Sequence, residues 1–130
     1  MSYSTKAQMQ SDINGVKKAC MNYIDGFYYG DTLKIKESLK PSLYKYGYWK
    51  NKDGVYNGSQ MTFETAVKYS KNVLEKKNFA KKDAPKEVEI LDVLNKIAAA
   101  KVTAWWGIDY ILLSKKEEKW MIEQVFFGGH

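Results

Sequence analysis

The chain has 130 residues, 45% of them hydrophobic and 28% charged, which fits one soluble globular domain spanning residues 1–130 and able to bury a core without staples. Its formal charge of +6 comes entirely from lysine; with no arginine, a dedicated nucleic-acid or phosphate reader is disfavoured, because bidentate readout leans on Arg. One cysteine excludes an internal disulfide, one histidine leaves little for a metal site, and no apolar run approaches membrane-spanning length.

From 5 to 29 the pattern is helical. Ile13, Val16, Cys20, Tyr23, Ile24 and Phe27 recur at three- and four-residue steps and form one stripe. Thr5 or Ser4 can cap its start, and Gly30 fits its stop. Asp31 caps a short second helix over 32–39, which Pro41 ends. A strand over 43–49 and the pair Val55-Tyr56 flank Asn51-Lys52-Asp53-Gly54. Asp-Gly between aromatic, alternating runs is a hairpin signal. Gly58-Ser59-Gln60 punctuates, and Thr62 caps a third helix over 63–77. A basic polar loop covers 78–85.

The remainder reads as four antiparallel strands, over 86–94, 97–106, 108–114 and 119–127, with charged turns between. In the second of these, Ala98, Ala100, Val102, Ala104 and Trp106 share a face that must be inside. Lys101, Thr103 and Trp105 share the other. The small alanines leave room for a helix or a cavity. Helices and a hairpin followed by antiparallel strands give an α+β fold, with helices laid on one face of a sheet. Asp109 stands alone in the apolar stretch 105–113. A charge there costs several kcal/mol unless it is paired, hydrated or neutralised. It is therefore expected at an opening of the sheet or as part of a site.

Three local patterns, taken with the order of elements, carry a resemblance. They are Tyr23-Ile24-Asp25-Gly26-Phe27-Tyr28-Tyr29-Gly30-Asp31, Gly107-Ile108-Asp109-Tyr110-Ile111-Leu112-Leu113, and Lys119-Trp120-Met121-Ile122. Together they resemble the nuclear transport factor 2-like superfamily, which includes ketosteroid isomerase, the SnoaL-type cyclases and scytalone dehydratase. Within it the chain looks most like the small bacterial proteins labelled "putative lumazine-binding". The resemblance implies a cystatin-like cone: a strongly curved antiparallel sheet wrapped around three N-terminal helices and enclosing an apolar pocket. It also implies a homodimer through the outer sheet face, where Thr103, Trp105, Tyr110 and Leu112 would lie. Such a fold hosts enzymes, binding modules and assembly domains alike.

Beside ketosteroid isomerase, Tyr23 falls where that enzyme keeps its oxyanion-binding tyrosine, and Asp109 where it keeps a protonated aspartic acid. Two donors converging on one oxyanion in a dry pocket would be the chemistry. The isomerase's general base aligns near Gly47, where no carboxylate stands, and Glu123 or Glu64 could replace it only by facing the pocket. Two readings stay open for each candidate. Tyr23 is a core tyrosine or a ligand contact, and Asp109 is a structural partner or a functional acid. Cys20 reads as a buried thiol and His130 as a terminal residue.

Three functions compete. The first is a small-molecule pocket for a flat, ring-containing ligand, lined by Phe27, Tyr46, Trp49, Phe63, Trp106 and Phe126 beside Tyr23 and Asp109. Gln124 joins it if Trp120, Ile122, Gln124 and Phe126 face inward; a bulge would reverse this face. The second is an isomerase, cyclase or dehydratase using Tyr23 and Asp109. The third is a non-catalytic dimerisation domain. No metal, cofactor, nucleic acid or membrane is expected as a partner. With no apolar signal core over residues 1–6, the setting is expected to be cytoplasmic.

Overall fold

The computed structural model describes residues 5–130. Helix α1 (Lys6–Tyr29) starts at Thr5, whose hydroxyl accepts from the Gln8 N–H, and stops at Gly30 in the left-handed region, φ 66°. Ser4, the other expected cap, lies outside the described residues. Asp31 caps α2 (Thr32–Ser38) through the Lys34 N–H. Pro41 does not end that helix. Strand β1 (Leu39–Lys50) begins at once and passes through Pro41 at a break in its pairing, where a missing N–H costs the ladder little.

Strand β2 (Tyr56–Met61) completes the hairpin, so Gly58-Ser59-Gln60 is strand rather than punctuation. The Asn51 side chain accepts from the Asp53 and Val55 N–H groups and fixes the turn. Thr62 caps α3 (Phe63–Glu75). Then come β3 (Glu87–Val93), β4 (Ile97–Ala104), β5 (Gly107–Lys116) and β6 (Lys119–Gly129).

The six strands form one sheet in the order β2-β1-β6-β5-β4-β3. Neighbours are antiparallel except β1 and β6, which pair in parallel. The fold is α+β, with the curved sheet and three helices of the cystatin-like architecture. The hairpin is therefore an extension of the main sheet, joined through its parallel junction.

The core lies between α1 and the inner face. Ala98, Ala100, Val102 and Ala104 are all buried, and α1 fills the room they leave by packing on β3, β4 and β6. Cys20 is buried in this layer. Burial, with the Asp109 carboxylate nearby, pushes its thiol up to about 12, so it is inert packing. Among the described residues no helix is long and apolar enough to cross a membrane.

Two local events set which side chains face inward. The first is a bulge. Leu112 pairs with Gln124 but Leu113 with Ile122, which leaves Glu123 as the extra residue of β6. Trp120 and Ile122 face in before it; Val125 and Phe127 face in after it. The second is a two-residue turn, Trp105-Trp106. Strand β4 ends at Ala104, opposite Gly107, rather than at Trp106. Gly107 has φ 137°, a region L side chains avoid, and the turn needs that glycine.

Candidate functional site

Alternation along β1 turns Leu43, Lys45 and Gly47 inward and Tyr44, Tyr46 and Tyr48 outward. Lys45 is thereby carried into the interior, where it is 6% exposed. Ladder register places it level with Val125 and Ile111, one inner row from Gly47, Phe127 and Asp109. Tyr23 descends from α1 between the two rows. Its hydroxyl donates to Asp109 Oδ2 at 2.7 Å and accepts from Lys45 Nζ at 2.6 Å. Trp106 Nε1, held over the strand by the turn, donates to Asp109 Oδ1 and Oδ2 at 3.0 and 3.1 Å. The result is a buried chain from ammonium to tyrosine to carboxylate, drawn from three elements and one turn.

Four aromatic rings surround the ammonium. Lys45 Nζ lies 4.9 Å from the ring centres of Tyr23 and Phe27, 5.5 Å from Phe127 and 5.8 Å from Trp106. Rings at these distances attract a cation through their negative faces. Burial lowers the Lys45 pKa, and Asp109 opposes that. Burial likewise raises Asp109, against the charge of Lys45 and the bonds from Tyr23 and Trp106. Tyr23 is pushed well above its ordinary value by burial and by Asp109, so it stays a neutral hydroxyl.

One side of this chain is open. A cavity of about 290 Å³ is bordered by Lys45, with Phe27, Trp106 and Phe127 around it and Trp49, Ser59, Met61, Tyr69 and Trp105 toward the mouth. Among the described residues Lys45 is the only charged side chain on its wall. Beyond Phe27, Tyr69 and Trp105 lies a second, more polar hollow of about 590 Å³, which reaches Asn78, Lys81, Asp83 and His130.

The expected site residues distribute as follows. Phe27, Trp49 and Trp106 border the cavity, and Tyr23 and Asp109 sit together behind its wall. Tyr46 is on the outer face, edge-on to Tyr48 at 5.5 Å, because the inward set of β1 is the odd-numbered one. Gln124 and Phe126 are also on the outer face, exposed, because the Glu123 bulge shifts β6 by one residue. Phe63 packs against the core in the first turn of α3 and does not reach the cavity. Trp105, expected on the outer face, turns to the cavity mouth because it belongs to the tight turn. The core alanines are buried and do not border the cavity.

Two candidates for a base also resolve. Glu123 accepts from Ser114 Oγ and Lys40 Nζ, at 2.7 and 2.9 Å, away from the cavity. Glu64 is exposed in the first turn of α3. Gly47 leaves no space for a carboxylate, since a Cβ there would stand 1.8 Å from the Phe127 ring. Tyr23 and Asp109 do not converge on a shared ligand atom; they bond each other. Sequence reasoning missed Lys45. Its signal is the alternation Leu43, Lys45, Gly47, which the aromatic residues between mask.

A family model described as "putative lumazine-binding" matches residues 11–127. Among solved structures, a nuclear transport factor 2-like protein of unknown function from Silicibacter pomeroyi superposes with a TM-score of 0.71 at 13% identity, covering 94% of this chain and 98% of that one. Another from Methylobacillus flagellatus gives 0.69 at 22% identity, over 100% and 98%. A domain of unknown function with a cystatin-like fold from Nostoc punctiforme gives 0.62 at 12% identity, over 98% and 80%. These identities speak for the fold alone. No curated protein matches the sequence.

Proposed function

The chain belongs to the family described as "putative lumazine-binding", and from that premise we propose that it binds a small, flat, ring-containing molecule in the cavity floored by Lys45. The observation that carries this reading is the cavity itself, about 290 Å³, walled mainly by aromatic side chains and offering one buried ammonium. Flat rings stack and edge well against such walls, and a single polar group fixes their orientation. A carbonyl or ring-nitrogen anion of the ligand would accept from Lys45. The binding reading is preferred over an isomerase, cyclase or dehydratase because Tyr23 and Asp109 are already bonded to each other behind the wall.

The test is a fluorescence titration of the four tryptophans with lumazine. Three of them, Trp49, Trp105 and Trp106, border the cavity, so saturable quenching is expected. Quenching that is absent, or that persists unchanged in Lys45→Met, would remove the reading.

A second reading concerns assembly. Tyr46, Phe126 and Tyr110 form one row across β1, β6 and β5 on the outer face, with Tyr44, Tyr48 and Leu112 exposed beside them. A contiguous apolar face of this kind favours a homodimer through the sheet. Sedimentation equilibrium of the wild type against Phe126→Glu tests it, with a shift toward monomer expected in the variant. A cytoplasmic setting belongs to the same proposal.

A further inference from the structure

We propose that Lys45 is a nucleophile that captures aldehyde or ketone ligands as a protonated imine at the floor of the cavity. The inference rests on the pocket reading above and adds a covalent step to it.

The geometry supplies three requirements. The first is a desolvated amine bordering a cavity; Lys45 is 6% exposed and, among the described residues, is the only charged group on that wall. An amine taken out of water gives up its proton more readily, and Lys45 is shifted in that direction. The second is a route for that proton. Lys45 Nζ, Tyr23 Oη and Asp109 Oδ2 are spaced at 2.6 and 2.7 Å. An ammonium proton can pass to the tyrosine oxygen while the tyrosine's own proton passes to the carboxylate. Burial raises Asp109, which suits it to receive that proton. The third is a place for the product's charge. The same four rings that surround the ammonium would surround an iminium, with the Asp109 carboxylate one hydroxyl away through Tyr23.

The step balances without an external reagent. The relay converts ammonium and carboxylate into amine and carboxylic acid. The amine lone pair then attacks the carbonyl carbon, the C=O π bond opens, and a nitrogen proton moves to the oxygen to give the carbinolamine. Asp109, through Tyr23, returns its proton to the departing hydroxyl, which leaves as water while nitrogen forms the C=N bond. The sum is ammonium plus carbonyl giving iminium plus water, with Asp109 a carboxylate again at the end. No net charge enters or leaves the buried site.

The test uses the whole chain with 2-naphthaldehyde and cyanoborohydride near neutral pH, followed by peptide mapping. The expected result is reductive trapping on Lys45 ahead of every other of the 21 lysines, and loss of that trapping in Lys45→Met. Trapping spread over other lysines with Lys45 spared overturns the inference. In that event tryptophan quenching by 2-naphthylmethanol, which has no carbonyl, separates the two readings. If it binds, the pocket stands and only the covalent step falls; if it does not, both fall. Tyr23→Phe keeps the amine but cuts the relay. Trapping about a hundredfold slower is expected, with a pH–rate profile displaced toward alkali, and an unchanged rate and profile would overturn the proposal. The wild-type mapping decides even if that variant does not fold.

Discussion

The protein buries the same three residue types twice, at two ends of its sheet, and uses them differently. Near the start of α1, Asp12 is 2% exposed and accepts directly from Lys115 Nζ at 2.9 Å and from Trp120 Nε1 at 3.1 Å. At the other end Asp109 accepts from Trp106 Nε1, but its lysine reaches it only through Tyr23. In the first cluster the ion pair is direct, with every bond falling on Asp12 Oδ1. Burial pushes Asp12 up, yet the bonds from Lys115, Trp120 and Gln8 outweigh it and hold the carboxyl below its ordinary value. In the second, burial prevails and Asp109 is raised. Inserting one hydroxyl and opening one side to a cavity turns a brace into a site. Buried Asp, Lys and Trp therefore do not identify function by themselves. The intervening group and the neighbouring space decide.

The largest expected effect would sharpen this contrast. Asp12→Ala leaves the Trp120 N–H buried without its acceptor and the Lys115 ammonium with only the exposed Glu118 carboxylate, 3.8 Å away. It should cost about 3–5 kcal/mol in urea unfolding. Lys45→Met is the opposite case, because it replaces an amine by a similar apolar volume and leaves Asp109 free to take up a proton. Its stability should change by no more than about 1 kcal/mol, while lumazine quenching is lost. Comparable losses in the two variants would break the distinction between brace and site.

Next comes Asp109→Asn, which presents an amide where Tyr23 and Trp106 both donate. A single amide oxygen at the Oδ2 position must then serve both donors while the amide NH2 is buried at the Oδ1 position facing Trp106 Nε1–H, and stability should fall by about 1–3 kcal/mol. Lumazine affinity measured alongside would show whether Lys45 needs its distant carboxylate to hold a ligand.

The two carboxylates should also respond to acid with opposite sign. Asp12 is held low, so its contribution is full above the ordinary carboxylate pKa and is lost as pH falls through the lowered value. Asp109 is raised, so the folded state binds that proton first. Stability gains as pH falls from neutral through the raised value, and the gain is complete below the ordinary one. Urea midpoints across the acid range should therefore lose their fall in Asp12→Asn and their rise in Asp109→Asn. The smallest effect is that of Gln124→Ala. It should move stability by less than about 0.5 kcal/mol and leave lumazine quenching alone, since the bulge points that side chain outward.

That last case shows where the sequence stops being readable. Helix stripes, caps and the Asp-Gly turn are local, and the three helices and the hairpin follow from them. The pairing of Tyr23 with Asp109 was also within reach, since an isolated carboxylate in an apolar strand requires a donor. Face assignment was not local. Glu123 bulges because of its register against Leu112 and Leu113, and nothing in residues 119–127 announces it. The inward set of β1 follows from a parallel partner some eighty residues away, so Lys45 stayed hidden among Tyr44, Tyr46 and Tyr48.

That parallel junction also orders events in time. It ties residues 44–48 to residues 124–128, and the bond between Tyr23 and Asp109 spans 86 positions. Contacts this distant along a chain form late and set the pace of folding. On the ribosome the hairpin of β1 and β2 would emerge early and wait with one edge bare, until β6 arrived and slotted between it and β5. The four rings around Lys45 could close only then, because Phe127 belongs to that final strand. Until β6 arrived, the nascent protein would hold its helices and most of its sheet, and no pocket.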